Sequence, residues 1–285
     1  SAKTKMILAV LVFTVLIGLT FSGLPNFENL RLLGVLQRIG IVYLLVSLIY
    51  LKTSFKTQII LSVFILLIYW GLLTLINVPG IGYPNLERGT NLASWLDNYL
   101  LSGHLYIETK TWDPEGVLST FPVVANGLLG CIIGQLLIST QFTKTKIAGI
   151  MFMTSIGFIT LGLIWSIYFP INKSIWTSSY VFFTSGIALV ILSIIYYLVD
   201  ILEYKKWTTF FVIWGVNPMI VFFLSGIIPR ALTMIKIQNP LDPNTEINVR
   251  DYAYTHWISS NIDNQMIASL VYSLVYVCLW SCLLW

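Results

Sequence analysis

The stretch Leu30–Leu45, "LRLLGVLQRIGIVYLL", begins an apolar run long enough to enter a membrane, yet its first two turns carry Arg31, Gln37 and Arg38. An ionisable group inside such a run is costly and usually functional. Arg31 and Arg38 are seven residues apart, so a helix would place them on one face. Gly34 lies between them and would let a neighbour or ligand approach closely. We therefore predict that this face lines a polar cavity between helices, with snorkelling to the outer headgroups as the alternative for Arg31.

The composition around this stretch is that of a membrane protein. Of the 285 residues 57% are hydrophobic and only 10% are charged, whereas a soluble domain carries about 25% charged residues. The net charge of +4 does not indicate nucleic-acid binding, because the basic residues are scattered over short turns. The three cysteines lie in apolar segments without metal-ligand spacing, so we interpret them as small buried hydrophobes.

Long apolar runs recur along the whole chain. A run of about 20 apolar residues crosses a hydrocarbon core of about 30 Å as a helix. The runs lie near 6–22, 34–51, 58–77, 117–138, 147–168, 176–199, 209–228 and 266–285. The sequence predicts an all-α, polytopic transmembrane helix bundle of about eight spans, forming a single domain over residues 1–285.

The turns between the runs predict the orientation. Lysines cluster before the first run and in alternate turns: Lys3, Lys5, Lys52, Lys56, Lys144, Lys146, Lys205 and Lys206. The positive-inside rule makes that side cytoplasmic. The two long connections, 78–116 and 229–265, then lie outside the cytoplasm and carry most of the acidic residues. In the first of them, apolar residues at helical spacing over 92–100 predict a helix along the outer membrane surface, with Gly103 as its C-cap.

A pair of carboxylates precedes the predicted span at 117–138. Asp113 is placed to N-cap that helix, with Pro114 and Glu115 as its first residues. This pattern fits a helix start alone, or a carboxylate pair at a cavity mouth that holds sugar hydroxyls or amines. A helix N-terminus stabilises the anion and weakens it as a base. Glu115 is therefore better suited to orienting a substrate than to acting as a tuned general base.

Two further segments carry polar residues at membrane depth. The short extracytoplasmic connection "PINKSIWTSSY" contains Asn172, Lys173 and Trp176, which would serve either as interfacial anchors or as a cavity wall. The pair Asn217-Pro218 lies inside the run at 209–228, where proline should kink the helix. Asn217 would either hydrogen-bond a neighbouring helix or face the cavity.

Four blocks of this sequence, "LRLLGVLQRIGIVYL", "WDPEGVLST", "NKSIWTSSYV" and "WGVNPMIVFFLS", together resemble the heparan-alpha-glucosaminide N-acetyltransferase family. The similarity is greatest to bacterial relatives associated with N-acetylglucosamine utilisation. The resemblance implies a membrane acyltransferase that takes acetyl from acetyl-CoA on the cytoplasmic side and passes it to an amino sugar on the far side. It implies a multi-pass protein of the bacterial inner membrane, with the bilayer and an amino sugar or glycan as partners. Neither a metal nor a nucleic acid is implied, and a homodimer is possible.

The resemblance also implies roles for particular residues. Asp113 and Glu115 would be the catalytic pair near the acceptor sugar. The substrate- or cofactor-binding wall would comprise Arg31, Gln37, Arg38, Asn172, Lys173, Trp176 and Asn217. Members of the family have two further N-terminal spans, joined by an outer loop whose histidine is implicated in acetyl transfer. This sequence begins where the third span would begin and has no initial methionine, so we expect a truncated chain.

Two other functions fit the same sequence features. A transporter of amino sugars or glycan fragments would use the polar vestibule and the kink at Pro218 for alternating access, although transporters often have paired broken helices. A non-catalytic membrane scaffold would bind small molecules equally well after Arg38→Ala or Glu115→Ala.

Overall fold

The computed structural model describes residues 2–21, 30–239 and 245–284, in two compact units that comprise residues 1–202 and 203–285. Within these described ranges, six helices are long and apolar enough to cross a membrane, or seven if a bent pair in the second unit is one span. A shorter apolar helix covers Thr4–Leu19. The predicted all-α transmembrane class is confirmed, and eight spans is an approximate count.

The first unit is a bundle of helices joined by hydroxyl-capped turns. Its helices are α1 (Ala2–Phe21), α2 (Val35–Lys52), α3 (Phe55–Leu75), α4 (Leu92–Leu101), α5 (Thr120–Leu137), α6 (Lys144–Trp165) and α7 (Ser178–Tyr196). A π-helical turn, Tyr197–Ile201, continues α7. The hydroxyls of Ser54, Thr143 and Thr177 accept hydrogen bonds from N–H groups in the first turns of α3, α6 and α7. Such caps satisfy donors that a helix start leaves free.

Small residues let the first two helices pack closely. The Cβ of an alanine at Gly18 in α1 would overlap Gln37 of α2, and one at Gly40 would overlap Thr14. Position 18 therefore lies beside 37 and position 14 beside 40, so the two helices run antiparallel. The predicted end of the first span, near residue 22, lies outside the described residues.

Two predictions about charged residues near helix starts are wrong. α2 begins at Val35, so Arg31 precedes the helix and does not share a helical face with Arg38. α5 begins at Thr120 with Ser119 as its N-cap residue, so Asp113 does not cap it. Residues 113–119 instead form an irregular stretch, which we call the outer turn. Side chains of Arg38 and Asp97 bind four of its backbone groups, and these contacts take the place of hydrogen bonds of a first helical turn.

The long connection between α3 and α5 contains the predicted helix as α4. Gly103 has φ +83° just after its end, the left-handed conformation expected of a C-terminal glycine. Ala93, Ser94 and Asp97 are buried against the bundle, whereas Tyr99 is exposed. The location of α4 along the membrane surface stays a prediction.

The second unit contains α8 (Thr208–Val216), α9 (Pro218–Met234), β1 (Lys236–Gln238), β2 (Glu246–Asn248), α10 (Val249–Trp257), a 3-10 turn (Ser259–Asn261) and α11 (Gln265–Leu284). The predicted kink at Pro218 is confirmed, because α8 and the following helix are bent by 77° at this break. β1 and β2 pair antiparallel, with Ile237 opposite Ile247. The sequence reading did not predict this strand pair or α10 within the 229–265 connection.

Candidate functional site

The outer turn is held by two arginines, of which Arg31 binds its carboxylates. The Nε of Arg31 donates to Asp113 Oδ2 at 2.8 Å, and one terminal nitrogen donates to Asp113 Oδ1 at 2.5 Å. The same terminal nitrogen also donates to Glu115. This fork geometry is the strong, orienting form of an arginine–carboxylate pair. Asp113 Oδ1 also accepts from the backbone N–H of Glu115 at 2.9 Å, which closes the start of the turn.

The charge balance at Arg31 follows from these contacts. Burial alone lowers the pKa of the Arg31 guanidinium, but its hydrogen bonds and charge contacts with Asp113 and Glu115 outweigh burial and raise the pKa. The side chain of Asp113 is fully buried, whereas that of Glu115 is 20% exposed. The two carboxylates therefore differ in accessibility: Asp113 is buried against Arg31, and Glu115 remains accessible.

Arg38 binds the backbone of the same turn from α2. Its terminal nitrogens donate to the carbonyl oxygens of Pro114 at 2.9 Å and Ser119 at 2.8 Å. The residue is only 5% exposed, and its guanidinium lies 4.8 Å from the ring centre of Trp176. Arg38 therefore does not snorkel to the headgroups. It joins α2, the outer turn and Trp176 at one point.

Trp176 is fixed by the turn that precedes α7. Its φ of +53° is uncommon for a residue with a side chain and costs about 1–2 kcal/mol, so the surrounding contacts must hold it. The hydroxyl of Thr177 donates to the carbonyl of Pro170 at 2.9 Å, and the hydroxyl of Tyr69 donates to the carbonyl of Ile175. Residues on both sides of Trp176 are thus anchored, which positions the indole against Arg38.

A cleft of about 540 Å³ begins at this junction and continues along α2 and α5. Its lining residues are Val35, Arg38, Ile39, Val42, Tyr43, Val46, Glu115, Val123, Gly127, Gly130, Cys131 and Trp176. The polar groups Arg38, Glu115 and Trp176 lie at the end near the outer turn. The rest of the lining is almost entirely apolar.

Two buried N–H donors at the polar end have no partner. Among the described residues, neither the Nε of Arg38 nor the Nε1 of Trp176 has a hydrogen-bond acceptor. Buried donors in proteins are almost always paired, and leaving one unpaired costs about 1–3 kcal/mol. Both residues line the cleft, but the two nitrogens themselves are shielded from it, so a carbonyl or anionic oxygen of a ligand would pair with them only after a rotation of these side chains.

The structure brings together five of the nine predicted site residues. Arg38, Glu115 and Trp176 line the cleft. Arg31 and Asp113 do not line it, but they bind each other next to Glu115. A sixth residue, Gln37, is buried and packs against Gly18 of α1, so it is not part of the cleft lining.

The remaining three predicted residues lie elsewhere. Asn172 accepts from the backbone N–H of Ser174 at 2.9 Å and lines a separate surface pocket of about 370 Å³ with Arg88. Lys173 is exposed in the same turn. Asn217 belongs to the second unit, where its side chain donates to the carbonyl of Ile213 at 3.2 Å. The roles of all three in substrate binding stay predictions.

Asp97 is a buried residue that the sequence reading missed. It is 2% exposed on α4, and its carboxylate accepts the backbone N–H of Val117 at 2.8 Å and that of Asp113 at 3.4 Å. Burial raises the pKa of Asp97 to about 6, although the two backbone hydrogen bonds oppose this effect. The available signal was a lone acid within the otherwise uncharged helix Leu92–Leu101, on the same face as Ala93 and Ser94.

Within residues 2–21, 30–239 and 245–284, no group of three or more His, Cys, Asp or Glu side chains is placed to hold a metal ion. The cleft itself offers one carboxylate, one guanidinium and one indole as polar groups near the outer turn. These groups suit an organic ligand with one carbonyl or anionic oxygen and an apolar arm.

The chain is similar in sequence to two curated proteins. Human heparan-alpha-glucosaminide N-acetyltransferase is 28% identical over 255 residues, covering 70% of this chain and 37% of the human protein. The mouse protein of the same name is 28% identical over 254 residues, covering 70% of this chain and 38% of its own length. No protein-family model matches the chain. The resemblance indicated by the four sequence blocks is confirmed, and the chain spans little more than a third of the length of these curated relatives.

Proposed function

We propose that this chain forms the substrate-binding wall of a membrane-embedded acyltransferase, which moves acetyl from cytoplasmic acetyl-CoA to the amine of an extracytoplasmic amino sugar. One observation carries the proposal. The unpaired N–H groups of Arg38 and Trp176 lie at the polar end of an apolar cleft, together with the accessible carboxylate of Glu115. The name of the two relatives, N-acetyltransferase, supports the same reaction class.

The apolar part of the cleft suits the donor arm. It extends along α2 from Val35 to Val46 and along α5 from Val123 to Cys131, and its polar end lies at the outer turn. A thioester arm that enters from the lysine-rich side would run toward this polar end. A rotation of the Arg38 and Trp176 side chains would then bring their unpaired Nε and Nε1 donors to its acyl carbonyl.

The same two donors would stabilise the transition state. The amine nitrogen attacks the thioester carbon, a C–N bond forms, and the carbonyl oxygen becomes an oxyanion. The C–S bond then breaks, the thiolate of coenzyme A leaves, and the amine loses one proton to solvent or to the thiolate. A preorganised donor at a developing oxyanion is worth about 10²- to 10³-fold in rate.

Glu115 would orient the acceptor. Its carboxylate is held in place by Arg31, which orients it as a partner for an ammonium or hydroxyl group of the sugar. We therefore assign Glu115 a binding and orienting role, and Asp113 the role of holding Arg31.

Labelled acetyl transfer tests the proposal. Inside-out vesicles that contain the full-length protein and glucosamine in their lumen should form labelled N-acetylglucosamine when acetyl-CoA is added outside. We expect Glu115→Gln to lower the rate about 10- to 100-fold, because one charge-assisted contact is lost. Glu87→Gln, which changes an exposed acid of the same connection, is the matched control. Failure of the folded wild-type protein to acetylate any amino sugar would contradict the proposal.

A transporter is the second candidate, and the break between α8 and α9 is the observation in its favour. Broken helices often form substrate sites in transporters, usually as a pair in matched halves. Uptake of labelled glucosamine in the absence of acyl-CoA would support transport, and uptake that requires acetyl-CoA would support the enzyme.

A further inference from the structure

We propose that Asp97 is a positioning residue, whose ionised carboxylate holds the outer turn and thereby fixes Glu115, and whose protonation releases that turn. The consequence for acyl transfer rests on the proposed function, whereas the consequence for the turn does not. Asp97 lies on α4 and is not among the residues that line the cleft.

The geometry of the turn is built around this carboxylate. Asp97 Oδ1 accepts from the N–H of Val117, and Asp97 Oδ2 accepts from the N–H of Asp113. Between these two anchors, Gly116 passes so close that a Cβ there would overlap the Asp97 carboxylate. Only glycine leaves room for the acid at this position. Glu115 lies between the two anchored residues, so its position depends on both hydrogen bonds.

The charged surroundings of Asp97 come from three elements. Asp113 of the outer turn disfavours a second negative charge, and Arg38 of α2 favours it. Tyr69 faces the carboxylate from α3. Burial is the largest influence and favours the neutral acid, so the proton binds in the mildly acidic range. The two backbone N–H groups favour the ionised form.

Protonation changes what the carboxyl group can accept. When ionised, both oxygens accept hydrogen bonds. When protonated, one oxygen carries a hydrogen and becomes a poor acceptor, so one of the two anchors weakens. The outer turn should therefore be held above about pH 6 and loosened below it.

Protonation of Asp97 affects global stability in the opposite direction from its effect on the outer turn. The pKa of Asp97 is raised from 3.8 to about 6 in the folded protein, so the folded state binds this proton more readily than the unfolded chain. The free energy of unfolding should therefore fall as the pH rises through this interval. Loosening of the outer turn at low pH is thus a local event, distinguishable from unfolding.

Amide hydrogen exchange, corrected for its intrinsic pH dependence, tests the proposal on the full-length protein in lipid nanodiscs. In the wild type, protection of the segment 113–121 should rise about tenfold between pH 5 and pH 7.5, with its midpoint near pH 6. Asp97→Asn should show low protection without this midpoint. Glu87→Gln, an exposed acid of the same connection, should retain the wild-type curve. Unchanged exchange in α6 and α7 will show that the variants are folded.

The outcomes separate this inference from the proposed function. A midpoint near pH 6 that persists in Asp97→Asn, or protection that does not vary with pH in the wild type, would overturn the role of Asp97. The acid limb of acetyl transfer should also lie near pH 6 in the wild type and be absent from Asp97→Asn. If hydrogen exchange behaves as expected but no amino sugar is acetylated, the proposed acyltransferase function is contradicted and the role of Asp97 in holding the outer turn is supported.

Discussion

Arg31 illustrates how a single side chain determines the local geometry. It makes a two-pronged contact with Asp113, whose side chain is fully buried, and a third contact with the accessible Glu115. Its guanidinium also lies 4.5 Å from the ring centre of Tyr106. A planar fork can satisfy all these partners together, and the compact ammonium of a lysine cannot.

Replacing this arginine should therefore destabilise the outer turn. We expect Arg31→Ala to lower the free energy of unfolding by about 2–3 kcal/mol, because a buried carboxylate loses its partner. Arg31→Lys should recover only part of this loss. Thermal unfolding of the detergent-purified protein measures the effect, with Arg88→Ala, an exposed arginine between α3 and α5, as the control. Equal loss in Arg31→Ala and Arg88→Ala would contradict the role of the fork.

The sequence predicted which charged residues matter better than it predicted the groups that they bind. An arginine inside an apolar run is unusual enough to be noticed, and Arg38 does line the cleft. Asp97 was missed because its importance comes from two backbone N–H groups, 16 and 20 residues further along the chain. Such contacts depend on how an irregular segment folds back, which residue spacing does not encode.

Helices α6 and α7 pack in closer contact than ordinary side chains would permit. A Cβ on Gly162 would lie 2.7 Å from the backbone N of Phe183, and one on Gly186 would lie 2.8 Å from the backbone N of Ile159. Small residues at such crossings allow backbones to approach and are typical of membrane helix pairs. Both glycines face backbone atoms of the other helix, and these atoms cannot move aside without displacing that helix.

The two glycine environments on α6 give a matched test. We expect Gly162→Ala to cost about 1–3 kcal/mol through overpacking, although alanine favours a helix. Gly157→Ala on the same helix meets nothing within 4 Å and should be neutral or slightly stabilising. Thermal unfolding in the same detergent compares the two variants. Similar unfolding temperatures for both would show that the close crossing does not hold the bundle together.

Element boundaries were predictable where hydropathy alone decides them. The predicted runs at 147–168 and 176–199 largely overlap α6 and α7. The start of α5 was misplaced, because Asp113-Pro114 has the form of a helix start. In the structure Arg38 and Asp97 bind the backbone groups that a first helical turn would use. Tertiary contacts override the local pattern at that point.

The two ends of the first unit carry different polar groups. The outer turn, Arg38 and Trp176 lie at one end, where α2 and α5 begin and α3 ends. The turns with Lys52, Lys56 and Lys144 lie where α2 ends and α3 and α6 begin, and Lys144 donates to the carbonyl of Asp200 after α7. The positive-inside rule would make the lysine end cytoplasmic.

Cysteine labelling tests this orientation. Single cysteines introduced at Lys56 and at Tyr83, in a background without native cysteines, should react on opposite sides of the membrane in intact cells. We expect a membrane-impermeant maleimide to label position 83 and to label position 56 only after permeabilisation. Labelling of position 56 in intact cells would contradict the orientation, and with it the proposed direction of acyl transfer.

The cleft along α2 and α5 is the proposed site of the acyl donor, and the glycines of α5 allow a direct test of that assignment. Gly130 lines the cleft and Gly134 does not, and a Cβ at either position meets nothing within 4 Å. Each position thus has room for the Cβ of a larger residue, so Gly130→Phe should place a ring in the cleft, with Gly134→Phe as its control. The measurement is the affinity of the full-length protein in nanodiscs for acetyl-CoA, by calorimetric titration. We expect Gly130→Phe to weaken binding at least tenfold and Gly134→Phe to leave it unchanged. Equal affinity in both variants and the wild type would contradict the assignment of this cleft to the acyl donor.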